Sequence, residues 1–175
     1  MYRYFILFVI SLLSFCDKNE VKEEYYPSGN LMSRYTLKNG KIHGQYITLH
    51  NLGDTLSIYN YENGVKNGKC IDNFYGSDVK QISEYKNGKL NGKFELISPS
   101  KSIWIVCSYV NDIMSGKCSV LNDEGNDMIS CNFVSGQPYE GIWAEDYEMI
   151  SNIILKGSVL CKYSKGKCIS KDTIK

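Results

Sequence analysis

Chemistry-bearing residues are scarce in this chain: 2 histidines and 2 tryptophans in 175 residues, with only 3 prolines. A helix that crosses a bilayer needs ~20 consecutive apolar residues, and the longest such run, Phe5 to Leu13, stops well short. There is no Cys-Xaa-Xaa-Cys pair, which argues against a zinc ribbon. There is no Gly-Xaa-Ser-Xaa-Gly, so no strained nucleophile elbow is signalled. Ser164-Lys165-Gly166-Lys167 lacks the glycine spacing and helix context of a phosphate loop. The oxygen-rich Asn122-Asp123-Glu124-Gly125-Asn126-Asp127 lacks the twelve-residue spacing and terminal Glu of a calcium loop. The 20 Lys+Arg stand against 19 Asp+Glu, and non-specific nucleic-acid binding needs a large basic surplus. The two histidines read as turn residues. His43 occupies a slot where parallel segments carry Asn67 and Asn91, and His50 lies in a reversal ending Leu52-Gly53-Asp54. Chain order is silent on a Ser–His–Asp arrangement; its signature would be a pocket holding His43 or His50 beside a nucleophile. The expectation is a protein that is not an enzyme and carries no cofactor or metal.

What the chain does have is aromatic residues at 13%, 14 of them Tyr, together with 15 Gly. That is enough apolar surface to offset chain ordering, in a length that suits one domain. The glycines recur. Lys38-Asn39-Gly40-Lys41-Ile42-His43-Gly44, Glu62-Asn63-Gly64-Val65-Lys66-Asn67-Gly68 and Lys86-Asn87-Gly88-Lys89-Leu90-Asn91-Gly92 align at a step of 24 residues. The second glycine continues at Gly116 and, after one inserted residue, at Gly141, while Asp112 and then Gly136 hold the first-glycine slot. Two apolar columns keep the same step: Leu37, Tyr61, Tyr85, Tyr109 and Phe133, and Tyr46, Cys70, Phe94, Cys118 and Trp143. A third glycine column, Gly29, Gly53 and Gly125, is broken by Ser77 and Lys101.

One unit reads as a β-hairpin. Asn-Gly suits a tight turn because both residues tolerate positive φ. Period-two alternation puts Tyr85, Phe94 and Leu96 on one face and Glu84 and Glu95 on the other. The third glycine column marks the return to the next unit. The predicted fold is therefore all-β: an elongated single-layer antiparallel meander of about five 24-residue hairpin repeats over residues 25–150, each hairpin stabilised by its neighbours. The two apolar columns are expected to form two ladders, with cross-strand aromatic pairs worth about 0.2–1 kcal/mol each.

The first residues carry an address. A weakly basic start, Met1-Tyr2-Arg3-Tyr4, precedes the apolar run, as in a secretory leader over residues 1–15. Leu13-Ser14-Phe15-Cys16 resembles a bacterial lipobox, although Phe15 stands where a small residue is usual. That resemblance implies lipidation of Cys16 and an exported, membrane-anchored lipoprotein at the bacterial outer membrane or cell surface; the plainer reading is an ordinary leader with Cys16 incidental. Several acyl chains on one cysteine hold firmly where a single chain does not. Residues 16–24 then read as a charged tether. Arg3 leaves with the leader, so the other 19 basic residues balance the 19 acidic ones.

Tyr85-Lys86-Asn87-Gly88-Lys89-Leu90-Asn91-Gly92-Lys93-Phe94 resembles the MORN repeat, and Tyr25-Tyr26-Pro27-Ser28-Gly29-Asn30-Leu31 resembles the opening of its bacterial variant. The resemblance spans residues 24–145 and is closest in the first three units. Later units depart from it at Asp112, at Pro138-Tyr139-Glu140, and at Trp104 and Cys107, which replace usual polar residues. The family implies an elongated β structure and no particular reaction. Its members are taken as scaffolds, membrane-associated modules or protein-interaction surfaces, and some bacterial ones are labelled antitoxins. The resemblance thus implies an unidentified protein partner, with membrane contact through the N-terminal lipid; the alternative is an immunity-type inhibitor that binds a toxin.

Export makes disulfides possible for the six other cysteines. Cys161 and Cys168 flank a tight turn in the expected C-terminal capping hairpin, residues 151–175, and are candidates for a terminal staple. Cys107 and Cys131 can pair only if their strands are adjacent. Cys70 and Cys118 lie two units apart, beyond disulfide reach, and read as small apolar fillers. Ile153-Ile154-Leu155, followed by Val159-Leu160, is expected to cover the last open ladder. The lysines at 162, 165, 167, 171 and 175 read either as a solubilising edge or as contact with an anionic surface.

Overall fold

The computed structural model describes residues 18–101, 103–144 and 159–173. Cys16 and Ile153-Ile154-Leu155 lie outside them. The described residues form one open antiparallel sheet of 15 strands whose spatial order follows chain order. The strands are β1 (Asn19–Tyr25), β2 (Leu31–Lys38), β3 (Lys41–Leu49), β4 (Thr55–Glu62), β5 (Val65–Lys66), β6 (Gly68–Asn73), β7 (Lys80–Lys86) and β8 (Lys89–Ser98). After a 3-10 turn at Pro99–Lys101 come β9 (Ile103–Val110), β10 (Ile113–Met114), β11 (Gly116–Leu121), β12 (Asp127–Val134), β13 (Gln137–Ala144), β14 (Val159–Ser164) and β15 (Lys167–Thr173). The sheet is the expected meander of hairpins, and the short β5 and β10 are the first stretches of strands interrupted before Gly68 and Gly116.

The hairpin turns are where the sequence acts most directly. Asn39, Asn63, Asn87 and Asn111 all have φ of 51–52°, followed by Gly40, Gly64, Gly88 and Asp112 at φ 69–85°. Positive φ at both central residues defines the type I′ turn, whose twist matches that of the strands it joins. Successive turns are bonded to one another. The amide of Gly64 donates to Ile42 O (2.7 Å), that of Gly88 to Lys66 O (2.8 Å), that of Asp112 to Leu90 O (2.9 Å) and that of Gly136 to Met114 O (3.0 Å). The 24-residue step is thus a step in space. Asp112 tolerates the glycine slot because its Oδ1 also accepts from the Leu90 amide at 2.7 Å. On the opposite edge, four returns close alike: Gly29 N–H to Tyr26 O, Gly53 to His50, Ser77 to Phe74 and Gly125 to Asn122.

One expectation about the ends is corrected. Residues 19–24 are not a tether, because Asn19–Tyr25 pairs along its length with β2. Its charge is that of an edge strand: Glu24 accepts from Ser33 Oγ (2.6 Å) and Tyr35 OH (3.3 Å), while most of the strand faces solvent. At the other end the expected hairpin forms over the described residues 159–173, with the turn chemistry of the repeat. Lys165 (φ 50°) and Gly166 (φ 77°) form a further I′ turn, and the Gly166 amide donates to Tyr139 O, one residue later than in earlier units because of the insertion. β15 is exposed throughout and forms the described edge.

The apolar columns do not form two separate ladders. Matching slots in consecutive units lie two strands apart, ~9.6 Å, too far for rings to touch. Contact runs between the columns instead: Tyr46 meets Tyr61 edge-on at 6.2 Å, Phe94 meets Tyr109 at 5.8 Å and Phe133 meets Trp143 at 5.5 Å. Each ring of the first column stands across from a bare second glycine: Tyr61 opposite Gly44, Tyr85 opposite Gly68, Tyr109 opposite Gly92 and Phe133 opposite Gly116. The glycine leaves room for the ring, and the ring shields the exposed glycine backbone. Trp143 breaks the pattern. The inserted residue is absorbed by a bulge at Asn132/Phe133, so Cys131 faces Gly141 rather than Trp143.

The well-buried core lies in the second half of the sheet: Leu96, Ile105, Cys107, Met114, Cys118, Val120, Cys131, Phe133, Trp143, Cys161 and Tyr163. In the first half the same face carries tyrosines and small polar residues, of which Ser33, Ser57 and Ser83 are buried.

Candidate interaction surfaces

A single sheet presents two faces, and the register assigns residues to each. On the tyrosine face one rung runs Tyr35, Tyr46, Tyr59, Cys70, Ser83, Phe94, Cys107, Cys118 and Cys131. Tyr35 and Tyr46 stack at 5.0 Å. Tyr59 donates a short hydrogen bond to Asp72, and Lys66 Nζ sits 3.7 Å above the Tyr59 ring and 5.3 Å from that of Tyr85. Burial, followed by the bond to Asp72, raises the Tyr59 hydroxyl to about 12. Such a cation over a ring contributes about 0.5–1 kcal/mol at an exposed site.

The opposite face carries a rung that the sequence reading passed over. Ile47, Ile58, Ile71 and Ile82 stand directly opposite one another on β3, β4, β6 and β7. Arg34 and Glu23 lie at one end of this rung and Glu95 and Val106 at the other. All four isoleucines are half-buried. Beside them Ile97 faces Trp104, whose ring has Lys93 Nζ at 5.8 Å and whose Nε1 is buried without a hydrogen-bond partner. The signal was present as two further 24-step columns, Ile47/Ile71/Glu95/Ser119 and Ile58/Ile82/Val106/Ser130, masked by the louder aromatic columns of the other face.

The structure scatters the groups that a reactive site would use. His43 Nδ1 accepts weakly from the Asn63 amide at 3.5 Å. His50 is not a solvated turn residue: its ring stacks on Tyr75 at 3.6 Å and its Nδ1 accepts from the Leu52 amide at 3.2 Å. Two shallow depressions are lined by other residues. One of about 620 Å³ is bordered by Gly76, Ser77, Asp78, Val79 and Ser100; one of about 390 Å³ by Glu62, Asn63, Val65, Asn67 and Asn87. In the acidic reversal, Asn122 Oδ1 accepts from the amides of Glu124 (3.1 Å) and Asn126 (2.8 Å), and Asp127 pairs with Lys117. Among the described residues no three His, Cys, Asp or Glu side chains come together as a metal site.

The cysteines are arranged differently from expectation. A disulfide joins Cys107 and Cys118, so Cys118 is not a thiol filler. Cys107 and Cys131 are not adjacent, because β11 lies between β9 and β12. The staple between Cys161 and Cys168 is not formed. A register shift at Lys162/Tyr163 puts Cys161 opposite Lys171 and Cys168 opposite Tyr163, with Cys161 buried and Cys168 exposed. Burial raises the thiols of Cys70 and Cys131, so each is held mainly in the protonated form.

No protein-family model matches the chain, and no curated protein matches it.

Proposed function

We propose that this is a non-catalytic repeat protein, anchored by a lipid on Cys16 at the bacterial cell envelope, whose sheet offers an extended surface to a protein partner. The observation that carries this reading is the uncapped isoleucine rung, Ile47, Ile58, Ile71 and Ile82, with a half-buried Trp104 beyond its far end. A patterned apolar strip with charged ends is what a protein interface needs: an apolar centre and a polar rim. The MORN-like turn columns and the lipobox-like leader support the scaffold and the address respectively. Nucleic acid is not a partner on this reading, given the charge balance.

The test is cross-linking followed by pull-down from solubilised membranes, with wild-type protein and an Ile58→Lys/Ile71→Lys variant. A partner recovered by the wild type and lost by the folded variant supports the reading; the same partners on both would overturn it. A toxin among those partners would turn the scaffold into an antidote. Palmitate labelling with Cys16→Ala tests the anchor, and membrane association that is unchanged without lipid rejects it.

A further inference from the structure

Three cysteines stand in one line. Cys118 on β11 is paired in register with Cys131 on β12, and the β9–β11 register, Ser119 with Val106 and Val120 with Ile105, places Cys107 on its other side. All three are at most 1% exposed. Cys107 and Cys118 are bonded, with their Cα atoms 4.1 Å apart, and Cys131 is a thiol.

The two flanks of Cys118 are not equivalent. A Cα separation this short belongs to a non-hydrogen-bonded antiparallel pair, about 4.5 Å, rather than a hydrogen-bonded one, about 5.5 Å. A strand residue directs its N–H and C=O to the same side, so Cys118 bonds through its backbone towards Cys131. The ~5.5 Å of a hydrogen-bonded pair also lies within the usual disulfide range of roughly 4.4–6.8 Å, so Cys131 is in reach of Cys118. The surroundings of Cys131 leave room for its sulfur to move, although burial raises its thiol and keeps the reactive thiolate a minor species, so exchange is slow. Cys131 faces Gly141, which has no side chain to crowd it, and its Sγ donates weakly to Asn132 O at 3.5 Å.

We propose that Cys131 is an internal exchange partner of the Cys107–Cys118 disulfide, so that one bond shuttles along the rung between Cys107–Cys118 and Cys118–Cys131. Cys131 flanks Cys118 on the side opposite Cys107, so its sulfur can reach the Cys118 sulfur from that side. The Cys131 thiolate forms a bond to Cys118 Sγ, the Cys118–Cys107 bond breaks, and Cys107 leaves as thiolate. The proton lost by Cys131 is regained at Cys107. One disulfide and one thiol are present before and after, so no oxidant or reductant is consumed. The exchange moves a covalent staple from the hairpin that closes at Asn111–Asp112 to the return at Asn122–Asn126, which joins the fourth unit to the fifth. Cys70 lies on the same rung but is separated from Cys107 by Ser83 and Phe94, and takes no part.

Disulfide mapping by mass spectrometry tests this, with exchange quenched by acid and the free thiols labelled by maleimide in acidic denaturant. In the wild type, label is expected mainly on Cys131 and on a minority of chains at Cys107, with Cys118 always bonded. In Cys107→Ser the bond is expected to move to Cys118–Cys131; in Cys131→Ser it stays at Cys107–Cys118. In Cys118→Ser no Cys107–Cys131 bond forms, because two strand spacings, ~9.6 Å, exceed disulfide reach. Cys70→Ser leaves the map unchanged. Free Cys118 and Cys131 in a folded Cys107→Ser protein would overturn the proposal. So would a wild type in which Cys107 is never labelled, a result that does not depend on any variant folding.

Discussion

Gly141→Ala should be among the most damaging single-methyl additions to this sheet. Gly141 has φ +128°, and a Cβ there would fall on the Ser130 carbonyl oxygen and 2.8 Å from Cys131 Cα. Both are backbone atoms of β12, so no side chain can swing aside. The conformation costs about 1–3 kcal/mol for a residue other than glycine, and forcing a methyl into filled space adds about 1–3 kcal/mol, for a total of roughly 2–6 kcal/mol. At ~2–4 °C per kcal/mol for a chain of this size, Tm should fall by ~4–24 °C. Gly40→Ala is the internal control: its φ is +77° and nothing lies within 4 Å of the added carbon, so only the left-handed penalty of ~1–2 kcal/mol applies. Circular dichroism melts give the two shifts. Hydrogen exchange should show the lost protection concentrated in β12, β13 and β14 for Gly141→Ala, since stability in repeat arrays is close to a nearest-neighbour sum. Equal melts for the two alanines would refute the register assigned to the fifth unit.

Asp112→Ala should cost ~2 kcal/mol, because it keeps the positive φ and loses the bond from the Leu90 amide, whereas Asp112→Gly should be nearly neutral, relief of strain offsetting that loss; urea unfolding distinguishes the two. Tyr59 should ionise late. Its folded value of about 12 lies above the ordinary ~10 of an unfolded chain, so the stability it contributes is complete below pH 10 and is lost as pH rises towards 12. Ultraviolet titration should show a late-ionising tyrosine that Tyr59→Phe removes, together with part of the alkaline loss of stability. Ile58→Lys/Ile71→Lys should retain the fold by circular dichroism, since both side chains are already half-exposed, while abolishing partner capture.

The turns were legible in the sequence because their requirement is local: a two-residue reversal needs two positive φ angles, and Asn-Gly supplies them whatever lies around it. Asp112 was legible as a departure but not as a solved one, because its compensating bond comes from Leu90 in the preceding unit. The cysteine pairing was not legible. It depends on which strands are neighbours and on where a bulge shifts the register, and neither the β11 strand between Cys107 and Cys131 nor the shift at Lys162/Tyr163 leaves a mark in spacing alone. The Asn19–Tyr25 strand was read as a tether because an edge strand is solvated on much of its surface and carries the composition of a linker. The isoleucine rung was missed because half-buried residues on the second face of a single sheet look like ordinary alternation until pairing shows them side by side.

The central claim is that each 24-residue unit advances the sheet by two strands. Nitroxide pairs at exposed turn positions, Lys41 with Ile113 and Lys41 with Gln137, span three and four units, and electron–electron resonance should give separations near ~29 Å and ~38 Å at ~4.8 Å per strand. An increase of about one unit, ~9.6 Å, between the pairs is the predicted result; equal distances, or a shorter one for the longer pair, would contradict the account.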